Sequence, residues 1–155
     1  AKYPDVDSFV NLSQSELEKE IRSTGFYRAK AQNILATAKK IKHEFGGRVP
    51  ETMEELVTLH GVARKTANIV LSAAFGKNEG MAVDTHVKRL SYRIGLTKHT
   101  DPVKIEKDLT ALISRKGWDR FSLLLIQHGR EVCQARKPNC GACVLNKVCD
   151  SAFKV

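Results

Sequence analysis

Aromatic residues are scarce: Phe, Trp and Tyr make up 6% of the chain, with a single Trp. Any core must therefore be built chiefly from aliphatic side chains. Cysteine is missing from most of the chain, and all four cysteines fall between Cys133 and Cys149. A secreted disulfide scaffold spreads its cysteines along its length. This confinement argues against that class and suits a local metal or cluster site in a reducing compartment. No apolar run approaches the roughly 18–20 residues that span a bilayer, so no membrane association is expected. No secretory signal pattern is visible. Sustained period-2 alternation is missing too, which argues against strands. There is no internal repeat and no low-complexity linker. Acidic residues are outnumbered, with 17 Asp and Glu against 26 Lys and Arg, for a net charge of +9. That excess favours a polyanionic partner, nucleic acid being the commonest, although an unspecialised basic protein carries the same signature.

What is present reads as helix almost throughout the 155 residues. Ser13-Gln14-Ser15-Glu16 is a capping box that opens a helix through Leu17 and Ile21, with a stop near Gly25. Ala31, Ile34, Leu35, Ala38, Ile41 and Phe45 recur at helical spacing, and Gly46-Gly47 ends that run. Thr52-Met53-Glu54-Glu55 is a second capping box, for a short helix ending near Leu59. The next helix is predicted from Arg64 to Phe75, with Gly76 as its stop. Asp84 is placed to cap a helix through Val87, Leu90 and Ile94 that ends at Gly95. Asp101-Pro102 opens another helix, and the last long one carries Trp118, Phe121, Leu124, Leu125 and His128. The expected fold class is all-α, with a compact helical body over residues 1–115. A C-terminal helix and a small cysteine module follow over 116–155.

Three stretches carry chemistry. The first is Cys133-x6-Cys140-x2-Cys143-x5-Cys149. The Cys-x2-Cys turn holds Gly141 and Ala142, small enough for the backbone to approach a metal. Four soft thiolates suit structural zinc or an iron–sulfur cluster, and spacing alone leaves both open. Between the first two cysteines lie Arg136 and Lys137, either solvated charges or cations presented to a phosphate backbone.

The second stretch is Leu59-His60-Gly61-Val62-Ala63-Arg64-Lys65-Thr66, which joins two helices. Gly61 permits a left-handed turn, and the amides after it open a helix N-terminus able to cradle an anion. Arg64 adds a cation. The plainer reading is an ordinary turn between helices. Lys65 falls in the first turn of the following helix. The positive helix end and partial burial would both favour a neutral amine, the form that attacks a sugar C1′ and makes a Schiff base. The third stretch is Ala82-Val83-Asp84-Thr85-His86. Asp84 is at least a helix cap, and its carboxylate also suits stabilising a cationic sugar and moving a proton at Lys65.

Leu59 to Leu71, Ala82 to His86, Gln127 to Arg130 (QHGR), Gly25 to Leu35 and the full cysteine pattern together resemble the endonuclease III family of helix-hairpin-helix DNA glycosylases. The likeness runs in order along essentially the whole chain. It implies a six-helix domain with a helix-hairpin-helix motif beside a domain holding a 4Fe–4S cluster, with Cys133, Cys140, Cys143 and Cys149 as ligands. It implies that Lys65 is the nucleophile and Asp84 its acidic partner. Lysine at that position marks bifunctional members. These remove an oxidised pyrimidine, hold the sugar as a Schiff base and cleave 3′ to it by β-elimination. The implied partner is double-stranded DNA with damaged bases or abasic sites, bound through His60, Gly61, Ala63, Arg64, Arg136 and Lys137. The implied state is a monomer inside the cell, in the cytoplasm or nucleoid. The alternatives are a uracil or thymine mismatch glycosylase, or a shortened chain that binds DNA without chemistry. Two departures stand out. Family hairpins commonly read Leu-Pro-Gly-Val-Gly, whereas His60 and Ala63 stand here, and Ala63 needs a negative φ. The chain also opens at Ala1-Lys2-Tyr3-Pro4 without Met, and is expected to lack N-terminal helices that family chains carry.

Overall fold

The computed structural model describes residues 2–155, and every regular element among them is helical. The chain divides into two compact units, one ending at Ala67 and the other running Asn68–Val155.

In the first unit, α1 (Val6–Val10) is capped by Asp5, which accepts the Ser8 amide at 2.9 Å. Five residues are too few to show a period, so this helix is not legible in the hydrophobic pattern. α2 (Gln14–Glu20) begins at the expected capping box: Glu16 N–H donates to Ser13 Oγ, and Ser13 N–H donates back to Glu16 Oε2 at 2.9 Å. It stops well before Gly25. Thr24 turns both its amide and its hydroxyl onto the Ile21 carbonyl, each at 2.9 Å, and this local bonding ends the helix early. α3 (Tyr27–Glu44) is the long element, and it packs against α1 and α2. Its buried stripe is Ala31, Leu35, Ala38 and Ile41. Leu17, Ala31 and Leu35 form the core here, joined by Phe9, Leu12 and Ile21. Each fully buried Leu contributes about 1.5–3 kcal/mol. α4 (Met53–Leu56) is capped by Thr52 and buries Met53 and Leu56.

α5 (Arg64–Phe75) begins in the first unit and continues into the second, where Leu71 is wholly buried. α6 (Thr85–Ile94) ends at Gly95, whose φ of +92° admits glycine far more readily than other residues. α7 (Pro102–Leu112) starts at the Asp101 cap with Pro in its first turn. α8 (Trp118–Glu131) follows a short 3-10 turn. α6 packs against both α7 and α8. The core gathers Met81, Val83, Val87, Leu90, Ile105, Leu109 and Leu125, with Trp118 and Phe121 at its margin. It is mostly aliphatic.

Candidate functional site

The turn between α4 and α5 is held by α3. Gly61 takes φ +73°, and a Cβ there would come within 2.7 Å of the Asn33 amide nitrogen. Both conformation and space therefore demand glycine. Beside it, Thr37 Oγ1 donates to the His60 carbonyl at 2.9 Å. Ala63 has no positive φ, so it is accommodated as expected. The Ala67 amide donates to the Ala63 carbonyl at 3.0 Å, so Ala63 marks the helix start. His60, Arg64 and Lys65 are exposed. The burial expected at Lys65 is therefore not there. Its position at the positive end of α5 remains, because the helix begins one residue earlier. The sequence does not single out Asn33 and Thr37 as supports. They sit between the core positions of α3, and only the folded chain shows which turn they meet.

Asp84 lies in the second unit and caps α6. Its Oδ1 accepts the amides of His86 and Val87, both at 2.8 Å. Oδ2 takes no part in the cap. The cap therefore leaves Oδ2 available for a second role. One turn into α6, Arg89 faces α8: its guanidinium donates to the carbonyls of Gly129 and Cys133, each at 3.0 Å. A Cβ on Gly129 would lie 2.8 Å from His86 Nδ1, so glycine here lets the two helices approach.

Arg93, one further turn along α6, organises the cysteine segment. It donates to the Gln134 and Ala135 carbonyls, both at 2.9 Å, and to Cys133 Sγ at 3.4 Å. Its own carbonyl accepts the Ser151 amide at 3.1 Å. The Asn139 amide closes the loop onto the Val132 carbonyl at 2.9 Å. Arg136 and Lys137 are thus exposed on a loop tied at both ends. His128 Nε2 lies 3.4 Å from Cys143 Sγ. Sequence reasoning missed Arg89 and Arg93, because nothing separates them from the other basic residues until their helix face is known.

Cys133, Cys140, Cys143 and Cys149 line one hollow, with Ile94 and Leu145 among its apolar walls. Among the described residues, no three His, Cys, Asp or Glu side chains close on a single ion position. Four soft thiolate donors lining one apolar-walled hollow suit an iron–sulfur group.

Two family models match the chain. One describes the HhH-GPD superfamily of base excision DNA repair proteins and covers residues 1–115. The other is the iron–sulfur binding domain of endonuclease III and covers 133–149. The endonuclease III of Synechocystis sp. is 56% identical over 97% of this chain and 69% of its own length. That of Bacillus subtilis is 42% identical over 99% of this chain and 70% of its own. This chain belongs to the endonuclease III family. A non-covalent endonuclease III–DNA complex superposes with a TM-score of 0.92 at 39% identity, covering 99% of this chain and 72% of that one. A trapped covalent endonuclease III–DNA intermediate matches equally well. A thermostable thymine-DNA glycosylase is more distant, at TM-score 0.79 and 25% identity.

Membership makes this a base excision repair enzyme, a DNA glycosylase with AP lyase activity, whose partner is DNA. Its cofactor is a 4Fe–4S cluster in the cysteine-bearing C-terminal segment. No helix among the described residues is long and apolar enough to cross a membrane.

Proposed function

We propose that the enzyme excises oxidised pyrimidines from duplex DNA and cleaves the resulting abasic site through a Schiff base on Lys65. The observation that carries this reading is an exposed lysine in the first turn of α5, directly after a glycine hairpin braced by Asn33 and Thr37. The target nucleotide must leave the stack for its C1′ to be reached. Attack needs the neutral amine, so Asp84 receives the amine proton and passes it to O4′ as the ring opens. The Lys65 nitrogen bonds to C1′ while the C1′–N bond to the base breaks, and the base, leaving with that electron pair, takes up the second proton that the Lys65 nitrogen sheds. Ring opening leaves a protonated imine. Loss of a C2′ proton then sends its electron pair to expel the 3′ phosphate, which is β-elimination.

His60, Gly61, Ala63 and Arg64 hold a phosphate at the hairpin, using the backbone amides at the start of α5. Arg136 and Lys137 add cations against the backbone. Phe26 supports the same reading. It is 89% exposed and held at φ +57°, an uncommon conformation for a bulky residue. A large apolar side chain in such a place suits a wedge that fills the gap left by the extruded nucleotide. Residues 1–115 would do the hairpin binding and chemistry, and 116–155 would present the basic loop. Cys133, Cys140, Cys143 and Cys149 would hold the 4Fe–4S cluster, which when bound cross-links that loop to the end of α8. The working unit would be a monomer acting on nucleoid DNA inside the cell.

A panel of duplexes tests the substrate assignment, each with one oxidised pyrimidine, a uracil or thymine opposite guanine, or a preformed abasic site. Preferential strand cleavage at oxidised pyrimidines is expected. Preference for the mismatches would replace it with the mismatch reading. Binding without cleavage of any duplex would leave a DNA-binding chain.

A further inference from the structure

The second unit buries a polar cluster that the chemistry above does not use. Asn68 and Glu106 are 4% and 7% exposed. Asn68 Nδ2 donates to Glu106 Oε1 at 3.0 Å and to the Met81 carbonyl at 3.3 Å. Its Oδ1 is buried and accepts nothing. A Cβ on Gly80 would overlap the Glu106 carboxylate and come within 2.8 Å of Asn68 Nδ2. Three elements therefore close on one another: α5 through Asn68, α7 through Glu106, and the segment at Gly80 and Met81. Packing alone does not call for this arrangement. A buried carboxylate and an orphaned amide oxygen both oppose folding, and an apolar cluster of the same shape would be cheaper.

The cluster's position explains what it holds. Asn68 follows Lys65 by one turn of α5. Met81, pinned through its carbonyl, precedes Asp84 by three residues, and Val83 between them is buried in the core. We infer that Glu106 is a positioning residue for catalysis: with Asn68 it clasps the Gly80–Met81 segment so that Asp84 enters α6 at a fixed place. This rests on the role proposed for Asp84. Glu106 touches no reacting atom; it orients the amide of Asn68, which in turn fixes the Met81 carbonyl. Gly80 is part of the device, because only a residue without Cβ leaves room for the carboxylate.

The test uses the cluster-loaded full chain and single-turnover borohydride trapping on an abasic-site duplex. Binding is read on a tetrahydrofuran-containing duplex that cannot form an imine. Glu106→Ala should slow trapping about 10- to 100-fold, the scale for a misplaced proton-transfer group, and leave Kd within about threefold. Glu106→Gln keeps an acceptor oxygen for Asn68 and should recover most of the rate. Gly80→Ala, which displaces the carboxylate without removing it, should repeat the Glu106→Ala defect and serves if that variant does not fold. Combined with Asp84→Asn, either variant should add no further loss. A wild-type trapping rate in folded Glu106→Ala or Gly80→Ala overturns the inference, as does a full additional loss in the Asp84→Asn background. A wild-type rate in Asp84→Asn alone would refute the Asp84 assignment itself, a result visible without any Glu106 variant.

Discussion

Asp84 caps α6 through Oδ1, and the proposed catalytic duty would fall to Oδ2; two substitutions separate the two roles. Asp84→Ala removes the one acceptor of two amides at the start of α6, where Oδ1 holds the His86 and Val87 N–H groups at 2.8 Å. Loss of such a cap costs about 0.5–2 kcal/mol. Asp84→Asn keeps a carbonyl oxygen in the Oδ1 position and loses only the favourable charge at the helix start, about 0.3–1 kcal/mol. For a chain of this size each kcal/mol moves Tm by about 2–4 °C. Asp84→Ala should therefore melt several degrees lower, while Asp84→Asn stays close to the parent. Catalysis should not follow that order. Both variants lose the carboxylate proposed to move the Lys65 proton, so both should lose about 10²- to 10⁴-fold in single-turnover cleavage of an abasic duplex. Thermal melting beside that assay gives the answer. An Asp84→Asn variant that cleaves within about threefold of the parent would reduce Asp84 to a cap and refute the reasoning.

Replacing Arg136 and Lys137 with Ala should weaken binding to all duplexes alike. It should also flatten the slope of log Kd against log salt by about 0.9 for each phosphate no longer neutralised; an unchanged slope would detach the loop from DNA. Phe26→Gly should raise Tm, because glycine relieves a left-handed residue of about 1–2 kcal/mol, yet slow base excision; undiminished excision would remove Phe26 as a wedge. The Ser13 hydroxyl, then its amide, hold the Glu16 carboxyl below the ordinary glutamate range, and Ser8 does the same for Asp5. A carboxyl lowered on folding adds stability above its unfolded pKa and loses it as pH falls through the folded one. Amide protection factors in α1 and α2, taken relative to the intrinsic exchange rate at each pH, should therefore fall as pH drops below the usual carboxylate range, and Ser13→Ala should erase the part due to Glu16. Protection independent of pH would contradict this.

Much of the fold is legible in the sequence because its signals are local. The Ser13, Thr52, Asp84 and Asp101 caps all form, and α5 has the boundaries that Arg64, Phe75 and Gly76 announce. Where local bonding competes, the pattern misleads: Thr24 ends α2 before Gly25 does. α1 offers no period at all. At the candidate site, residue types at fixed spacing are readable, as with Gly61 and the cysteines lining one hollow. Their supports are not. Asn33, Arg93 and Glu106 each act across tens of residues, and a polar residue that turns inward looks in sequence like one that turns outward. Lys65 shows the same limit in reverse: its place on α5 is legible, and its exposure is not.

The most direct test of the central claim is borohydride trapping of the cluster-loaded chain on an abasic-site duplex, with the adduct mapped by peptide mass spectrometry. A covalent adduct on Lys65, absent in a Lys65→Gln variant that still binds the duplex, is the predicted result. An adduct mapped to another amine, or strand cleavage retained by Lys65→Gln, would contradict it.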